Sequence, residues 1–150
     1  MNLTSYLVLE DPTYYNIGLL VLRVAIGICF IVHALGKLGL VGPGNMAGFT
    51  SWLESLGVPA PALQARMAML SEMVGGILLT VGLLTRPAAA ILFFTMVVAG
   101  LIGHKGGGYL ITNDPPGNEY TINLAATMVL FFLLGPGSYS LDFMLFAVGN

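Results

Sequence analysis

Apolar positions in this chain fall into four long runs, at residues 17–38, 63–84, 87–103 and 120–134, separated by stretches rich in glycine, proline and polar residues. A membrane-spanning helix needs about 17 to 25 mainly apolar residues. The first two runs meet that length and the last two stand at its short limit, so the pattern predicts four helical spans. Residues 45–56 carry a different pattern. Met46, Phe49, Trp52, Leu53 and Leu56 recur at three- and four-residue spacing, which predicts a short helix with one apolar face. Asn45 stands where a cap belongs, and the Gly-Val-Pro-Ala-Pro sequence of residues 57–61 ends the helix. Such a helix is expected to lie flat at the membrane interface or to lid the bundle.

The connections set the topology. Thr85-Arg86-Pro87 reverses the chain between the second and third runs, too briefly for anything but an antiparallel hairpin, with Pro87 in the first turn of the next helix. Gly106-Gly-Gly108 reads as a flexible turn opening a polar loop over 106–118. Gly135-Pro-Gly137 stops the fourth run, and residues 138–146 follow as a tail carrying Asp142. Tyr14 and Tyr15, just ahead of the first run, read as an interfacial aromatic anchor. The expected fold is all-α: a single domain over residues 1–150, an integral membrane antiparallel four-helix bundle with a short amphipathic interfacial helix between spans 1 and 2. Both chain ends then share one side, side A, and the loops 39–62 and 106–118 share the other, side B.

Composition agrees. The chain is 57% hydrophobic and 8% charged, against about 25% charged in ordinary soluble domains. A soluble domain of this size buries only about two-thirds of its unfolded surface, too little to hide so much apolar area, so the expected solvent is lipid. The net charge of −2 comes without a basic patch and excludes a nucleic-acid partner. The first sixteen residues carry Glu10 and Asp11 and no basic leader, so the first run reads as a retained span and not a cleaved signal. Cys29 has no second cysteine to pair with and reads as a small apolar filler.

Charges inside spans are costly and usually functional or paired, which singles out Arg23, His33 and Glu72. Depth follows from a rise of about 1.5 Å per residue. Counted from the hairpin, Glu72 is level with Cys29, one turn short of His33, and His33 is near the level of Ala68, Gly103 and Tyr120. His33, Lys37, Arg66, His104, Lys105 and Glu119 therefore gather toward side B, with Glu72 slightly deeper. Arg23 stands apart, about 9 Å inside side A.

Two readings of Arg23 stay open. It reaches toward side A or a carboxylate and holds the bundle together, or it anchors an anionic or carbonyl-bearing ligand. A carboxylate is too short to snorkel far, so Glu72 either pairs with Arg23, Lys37 or His33, or sits protonated among apolar groups. A buried, proton-exchanging Glu72 near His33 is what a quinone site requires, because quinone reduction takes up protons with its electrons; a structural ion pair would look the same. Glu72 and His33 are thus the candidate catalytic residues, and Arg23, Lys37, His104 and Glu119 the candidate ligand-binding ones. Arg86 at the hairpin, with Gly75 and Gly76 as a close-contact surface, is read as structural. Haem ligation by His33 and His104 is disfavoured because His104 sits at a helix end beside Lys105, and no metal site is assigned. Gly106–Gly108 follows a helix and so lacks the context of a phosphate loop. No Ser-His-Asp or Cys-His arrangement stands out.

Several strings together carry a resemblance. Leu22-Arg23, Gly27, Phe30, His33 and Gly36-Lys37-Leu38, then Leu56-Gly57-Val-Pro-Ala-Pro61, Glu72-Met-Val-Gly-Gly76, Gly82-Leu-Leu-Thr-Arg86, His104, Glu119-Tyr120 and Gly135-Pro-Gly-Ser-Tyr-Ser-Leu-Asp142 resemble, in order, the DoxX family of small four-span bacterial and archaeal membrane proteins. One departure is Ala34, where the family usually has glycine after its histidine. The resemblance implies a four-helix membrane bundle and redox-linked work, the family taking its name from a membrane component of a thiosulfate:quinone oxidoreductase. It also marks Arg23, His33, Lys37, Glu72, Arg86 and His104 as positions of interest. Fold follows from such a likeness more firmly than function.

The expected function is a quinone-interacting, redox-linked membrane subunit, at most the membrane component of a quinone-linked oxidoreductase, working with partner protein subunits in the lipid bilayer. The alternative is a non-catalytic accessory or assembly subunit of a larger membrane complex. Transport is disfavoured, since four spans without an inverted repeat make poor alternating-access machinery. The expected location is a bacterial or archaeal inner (cytoplasmic) membrane. Loop charges alone would place side B in the cytoplasm, whereas the resemblance implies cytoplasmic termini, the orientation taken here.

Overall fold

The computed structural model describes residues 11–147; the part of the reading against a cleaved signal that rests on residues 1–10 lies outside them. Among the described residues all regular structure is helical. The order is α1 (Pro12–Leu38), α2 (Met46–Ser55), α3 (Pro61–Val81), α4 (Thr85–Val98) running into a π-helical turn (Ala99–Gly103), α5 (Glu119–Leu134) and α6 (Leu141–Phe146). Three helical stretches, α1, α3 and α4 with its π turn, are long and apolar enough to cross a membrane; α5 is apolar but has 16 residues.

Several boundaries differ from the apolar runs. α1 begins at Pro12, not residue 17, because Asp11 caps it: its Oδ1 accepts from Thr13 N at 2.8 Å and Pro12 occupies the first turn. That backbone bond holds the Asp11 carboxyl below its ordinary range. Tyr14 and Tyr15 therefore belong to the first turn of α1 instead of preceding it. The α3–α4 reversal falls at residues 82–84, before the Thr85-Arg86-Pro87 expected from sequence. Gly82 takes a left-handed conformation at φ 70° and Leu84 another at φ 49°, and Thr85 is already helical. A side chain at positive φ costs about 1–2 kcal/mol. The Asp142 carboxylate offsets this at Leu84, accepting from Leu84 N at 2.7 Å and from Thr85 N at 2.9 Å. The tail is a further helix, α6, capped by Ser140, whose Oγ accepts from Phe143 N at 3.1 Å. The loop read as a flexible turn is cross-tied: Gly117 N donates to Leu110 O at 2.9 Å and Asn118 N to Gly108 O at 3.0 Å. α2 forms where the apolar spacing predicts a short helix, with the Asn45 side chain as its cap, accepting from Gly48 N at 2.8 Å.

The longer helices pack antiparallel. α1 lies on α3, α3 on α4 and α4 on α5, while α2 rests against α3 and touches α1. Glycines set the closest approaches. A Cβ on Gly27 would stand 2.8 Å from the Gly76 carbonyl oxygen, and one on Gly76 would stand 2.9 Å from that of Gly27. Gly75 faces the other way, where a Cβ would meet Leu92 at 2.8 Å. One helix thus packs α1 and α4 through adjacent glycines. Phe30, Leu79, Leu92, Met128 and Phe131 fill the centre. The outer surface stays apolar, with Val21, Ile28, Leu70, Ile91, Phe94, Leu101 and Leu133 all exposed. So large an exposed apolar surface suits lipid and not water. In lipid the helices hold together by close packing and interhelical polar bonds, because burial of apolar area provides no drive there.

Candidate functional site

Helix geometry brings Lys37 and Glu72 together. The Gly27–Gly76 approach puts Glu72 opposite Ile31, two residues nearer His33 than the depth count from sequence. Side chains lean toward the N-terminus of their own helix. Lys37, at the side B end of α1, leans inward, and Glu72 leans toward side B because α3 begins there. Lys37 Nζ donates to Glu72 Oε2 in a salt bridge. Of the three partners open to Glu72 in the sequence, Lys37 is the one it pairs with. Glu72 is 5% exposed, so the pair sits largely out of solvent, where removing one partner costs about 3–5 kcal/mol.

A cleft of about 570 Å³ opens beside Lys37. Its walls include His33, Gly36 and Lys37 from α1 and Asn45, Gly48, Phe49 and Trp52 from the start and face of α2. Lys37 Nζ stands 5.2 Å from the centre of the Phe49 ring, a cation–π contact. Phe49 and Trp52 stack with centroids 5.8 Å apart. Gly103, at the end of the π turn, leaves room for Trp52: a Cβ there would meet the indole at 2.8 Å. α2 is thereby seated between α1 and the end of α4. His33, on an exposed flank of α1, lies 5.1 Å ring to ring from Tyr120 of α5, and Tyr120 Oη lies 3.1 Å from Cys29 Sγ. Cys29 is thus more than filler: it is the polar partner of a half-buried phenol.

Other candidate residues lie elsewhere. His104 Nδ1 is 3.1 Å from Pro116 O, and Glu119 Oε2 accepts from Ile111 N at 3.2 Å. Both tie down the 104–118 loop, and neither lines the cleft. Among the described residues no three His, Cys, Asp and Glu side chains gather as a metal-binding group.

Arg23 belongs to a second polar cluster, at side A. It is 1% exposed and leans toward the N-terminus of α1, where Nη2 donates to Tyr139 O at 2.6 Å. Nε and Nη1 are buried with no hydrogen-bond partner among the described residues. A Cβ on Gly82 would fall 1.3 Å from Nη1, so the guanidinium fills the place a side chain at residue 82 would need. Around it, Asp142 N donates to Gly82 O at 2.8 Å and Ser138 N to Asn16 Oδ1 at 2.8 Å. Arg86 Nη2 donates to Leu133 O at 3.3 Å, a cation on the last carbonyls of α5. Residues 135–142 are thus bound to the start of α1 and to the α3–α4 hairpin.

Sequence reasoning missed Phe49, Trp52 and Tyr120 as site residues and Asn16 and Asp142 as clasps. The apolar stripe of α2 contained the first two, and the depth count already set Tyr120 level with His33. Nothing local marks Asp142 as a cap for residues 84 and 85.

Comparison with known proteins agrees with this architecture. The DoxX family model matches residues 18–105. The chain is 30% identical to "Inner membrane protein YphA" of Escherichia coli (strain K12) over 140 residues, covering 86% of this chain and 95% of that protein. It is 30% identical to "Putative oxidoreductase CatD" of Bacillus subtilis (strain 168) over 128 residues, covering 85% of this chain and 87% of that protein. "Inner membrane protein YqjF" of Escherichia coli (strain K12) is 30% identical over 131 residues, covering 87% of this chain and 93% of that protein. No solved structure matches. With the model matched over more than half its length, and with helices of this apolar character, the chain belongs to the DoxX family of membrane proteins.

Proposed function

We propose that the protein is a four-span inner-membrane subunit that binds a quinone ring in the cleft over Lys37 and delivers protons to it. The observation that carries this reading is Lys37, paired with the buried Glu72 among apolar helices and lining an aromatic-walled cleft together with His33. The volume lies in the range of small-molecule sites, about 300–1,000 Å³. The lining has the required chemistry: Phe49 and Trp52 offer faces for a planar ring, while Lys37 and His33 offer nitrogen to its carbonyl oxygens. Reduction of a quinone to its quinol takes two electrons and two protons. The electrons come from an electron-donating partner protein. The protons pass through Lys37 and His33, with the Glu72 carboxylate holding the Lys37 ammonium in place between turnovers. The oxidoreductase name carried by the Bacillus relative is consistent with this.

In this reading α5 is the fourth span, α2 lies at the side B interface, and both chain ends face the cytoplasm. The experiment is quinone extraction from protein purified in mild detergent, alongside Glu72→Gln. Bound quinone in the wild type, lost with Glu72→Gln, supports the reading. Absence of bound or turned-over quinone, with function intact in Glu72→Gln, rejects it.

A second reading, a non-catalytic accessory subunit of a larger complex, is favoured by the side A cluster. There Arg23, Arg86 and Asp142 all bond backbone groups and tie the segment after α5 to α1 and to the α3–α4 hairpin. Under that reading, co-purification with the larger complex survives single replacement of His33 or Glu72.

A further inference from the structure

The cleft contains two glycines that its helices do not need. Gly36 lies inside α1 and Gly48 inside α2, both at ordinary negative φ. A Cβ on Gly48 would meet only the Asn45 side chain, at 3.5 Å, and one on Gly36 only the Val41 carbonyl oxygen, at 3.5 Å. Those are ordinary contact distances. Alanine fits at both positions and is the better helix former. The contrast is with Gly27, Gly75, Gly76 and Gly82, where a Cβ would strike neighbouring atoms at under 3.0 Å. What Gly36 and Gly48 share is the cleft: both line it, one from α1 and one from α2, next to Lys37 and Phe49 in the chain. Glycine is the residue used where a ligand must approach backbone closely.

We propose that Gly36 and Gly48 are the specificity-determining residues of the cleft, leaving a flat slot that admits a planar, carbonyl-bearing ring edge-on toward Lys37 and His33. This inference rests on the quinone reading and narrows it. The ring is selected by thickness, and a methyl group on either wall obstructs it. Lys37 and Glu72 set the polarity of the site, while the two glycines set its width.

The chain has a single tryptophan, Trp52, and it lines the cleft, so its fluorescence reports occupancy directly. Decylubiquinone is titrated into wild-type protein in mild detergent and into Gly36→Ala, Gly48→Ala and Gly18→Ala. Gly18 serves as the control, being an exposed helical glycine with nothing within 4 Å of its Cβ position. Saturable quenching is expected in the wild type. Gly36→Ala and Gly48→Ala should melt at the same or a higher temperature and bind about tenfold more weakly, the order of one overpacking contact. Gly18→Ala should bind as wild type. Unchanged binding in the two cleft variants overturns the proposal while leaving the quinone reading intact. So does equal weakening in all three, or a lowered melting temperature in the cleft variants, which would make their glycines packing residues. If the wild type shows no saturable quenching, the quinone reading falls and this inference with it.

Discussion

Replacing Gly82 by alanine puts a methyl carbon 1.3 Å from Arg23 Nη1, 2.5 Å from its Cζ and 2.7 Å from Ser140 Cβ. The guanidinium cannot stay where it is, so its bond to Tyr139 O is lost. A hydrogen bond from a charged donor contributes about 1.5–3 kcal/mol. Holding a side chain at φ 70° adds about 1–2 kcal/mol. The expected loss is therefore about 2.5–5 kcal/mol, large against the stability of a single domain. Reversible unfolding in mixed micelles, followed by helical circular dichroism, measures it. The cycle is completed in an Arg23→Met background, where the side chain stops short of the guanidinium position. The cost of Gly82→Ala there should fall by about 1.5–3 kcal/mol, the share belonging to the charged bond. The strain at φ 70° and the contact with Ser140 remain. Equal costs in the two backgrounds, or a cost below about 1 kcal/mol in the native one, would refute the idea that Arg23 and Gly82 form one interlock.

Other perturbations follow from the same bonds. Lys37→Met leaves the Glu72 carboxylate buried and unpaired and should cost about 3–5 kcal/mol in the same unfolding assay, whereas Lys37→Met combined with Glu72→Leu should recover most of the loss. Asp142→Ala removes the acceptor of two backbone N–H groups and should cost about 1–3 kcal/mol, with faster hydrogen exchange at the Leu84 and Thr85 amides. Asn45→Ala removes the cap of α2 and should cost about 1 kcal/mol, seen as a red shift of Trp52 emission as the helix loosens from Gly103.

The sequence makes the helices legible because apolar periodicity is local. α2 is the clearest case, since its stripe and its Asn45 cap lie within a dozen residues. Boundaries are harder to place where they depend on distant groups. Leu83 and Leu84 continue an apolar run, so nothing nearby says that the helix ends at Val81; the bonds that stabilise the turn come from Asp142. The start of α1 is a different kind of miss, because Asp11-Pro12 is itself a local start signal that apolar counting overlooks. In the site, the depth count brought His33 level with Tyr120 but set Glu72 level with Cys29, deeper than the Gly27–Gly76 approach places it, and left its partner open among Arg23, Lys37 and His33. Depth alone does not specify a face, however. His104 and Glu119 share that level yet point into their own loop. The choice of Lys37 over Arg23 as partner of Glu72 follows from lean: Arg23 is directed to side A and Lys37 inward, as the Cβ direction on α1 requires.

The most direct measurement is photolabelling of the protein in membranes with an azido-quinone, followed by peptide mapping. The account predicts label on residues 32–52, which include the cleft walls from Val32 to Trp52, and its loss in Lys37→Met combined with Glu72→Leu. Side A has a cleft of its own, of about 750 Å³ and lined by Thr85, Arg86 and Phe143 among others; label concentrated there instead, or undiminished in that double variant, would contradict the account.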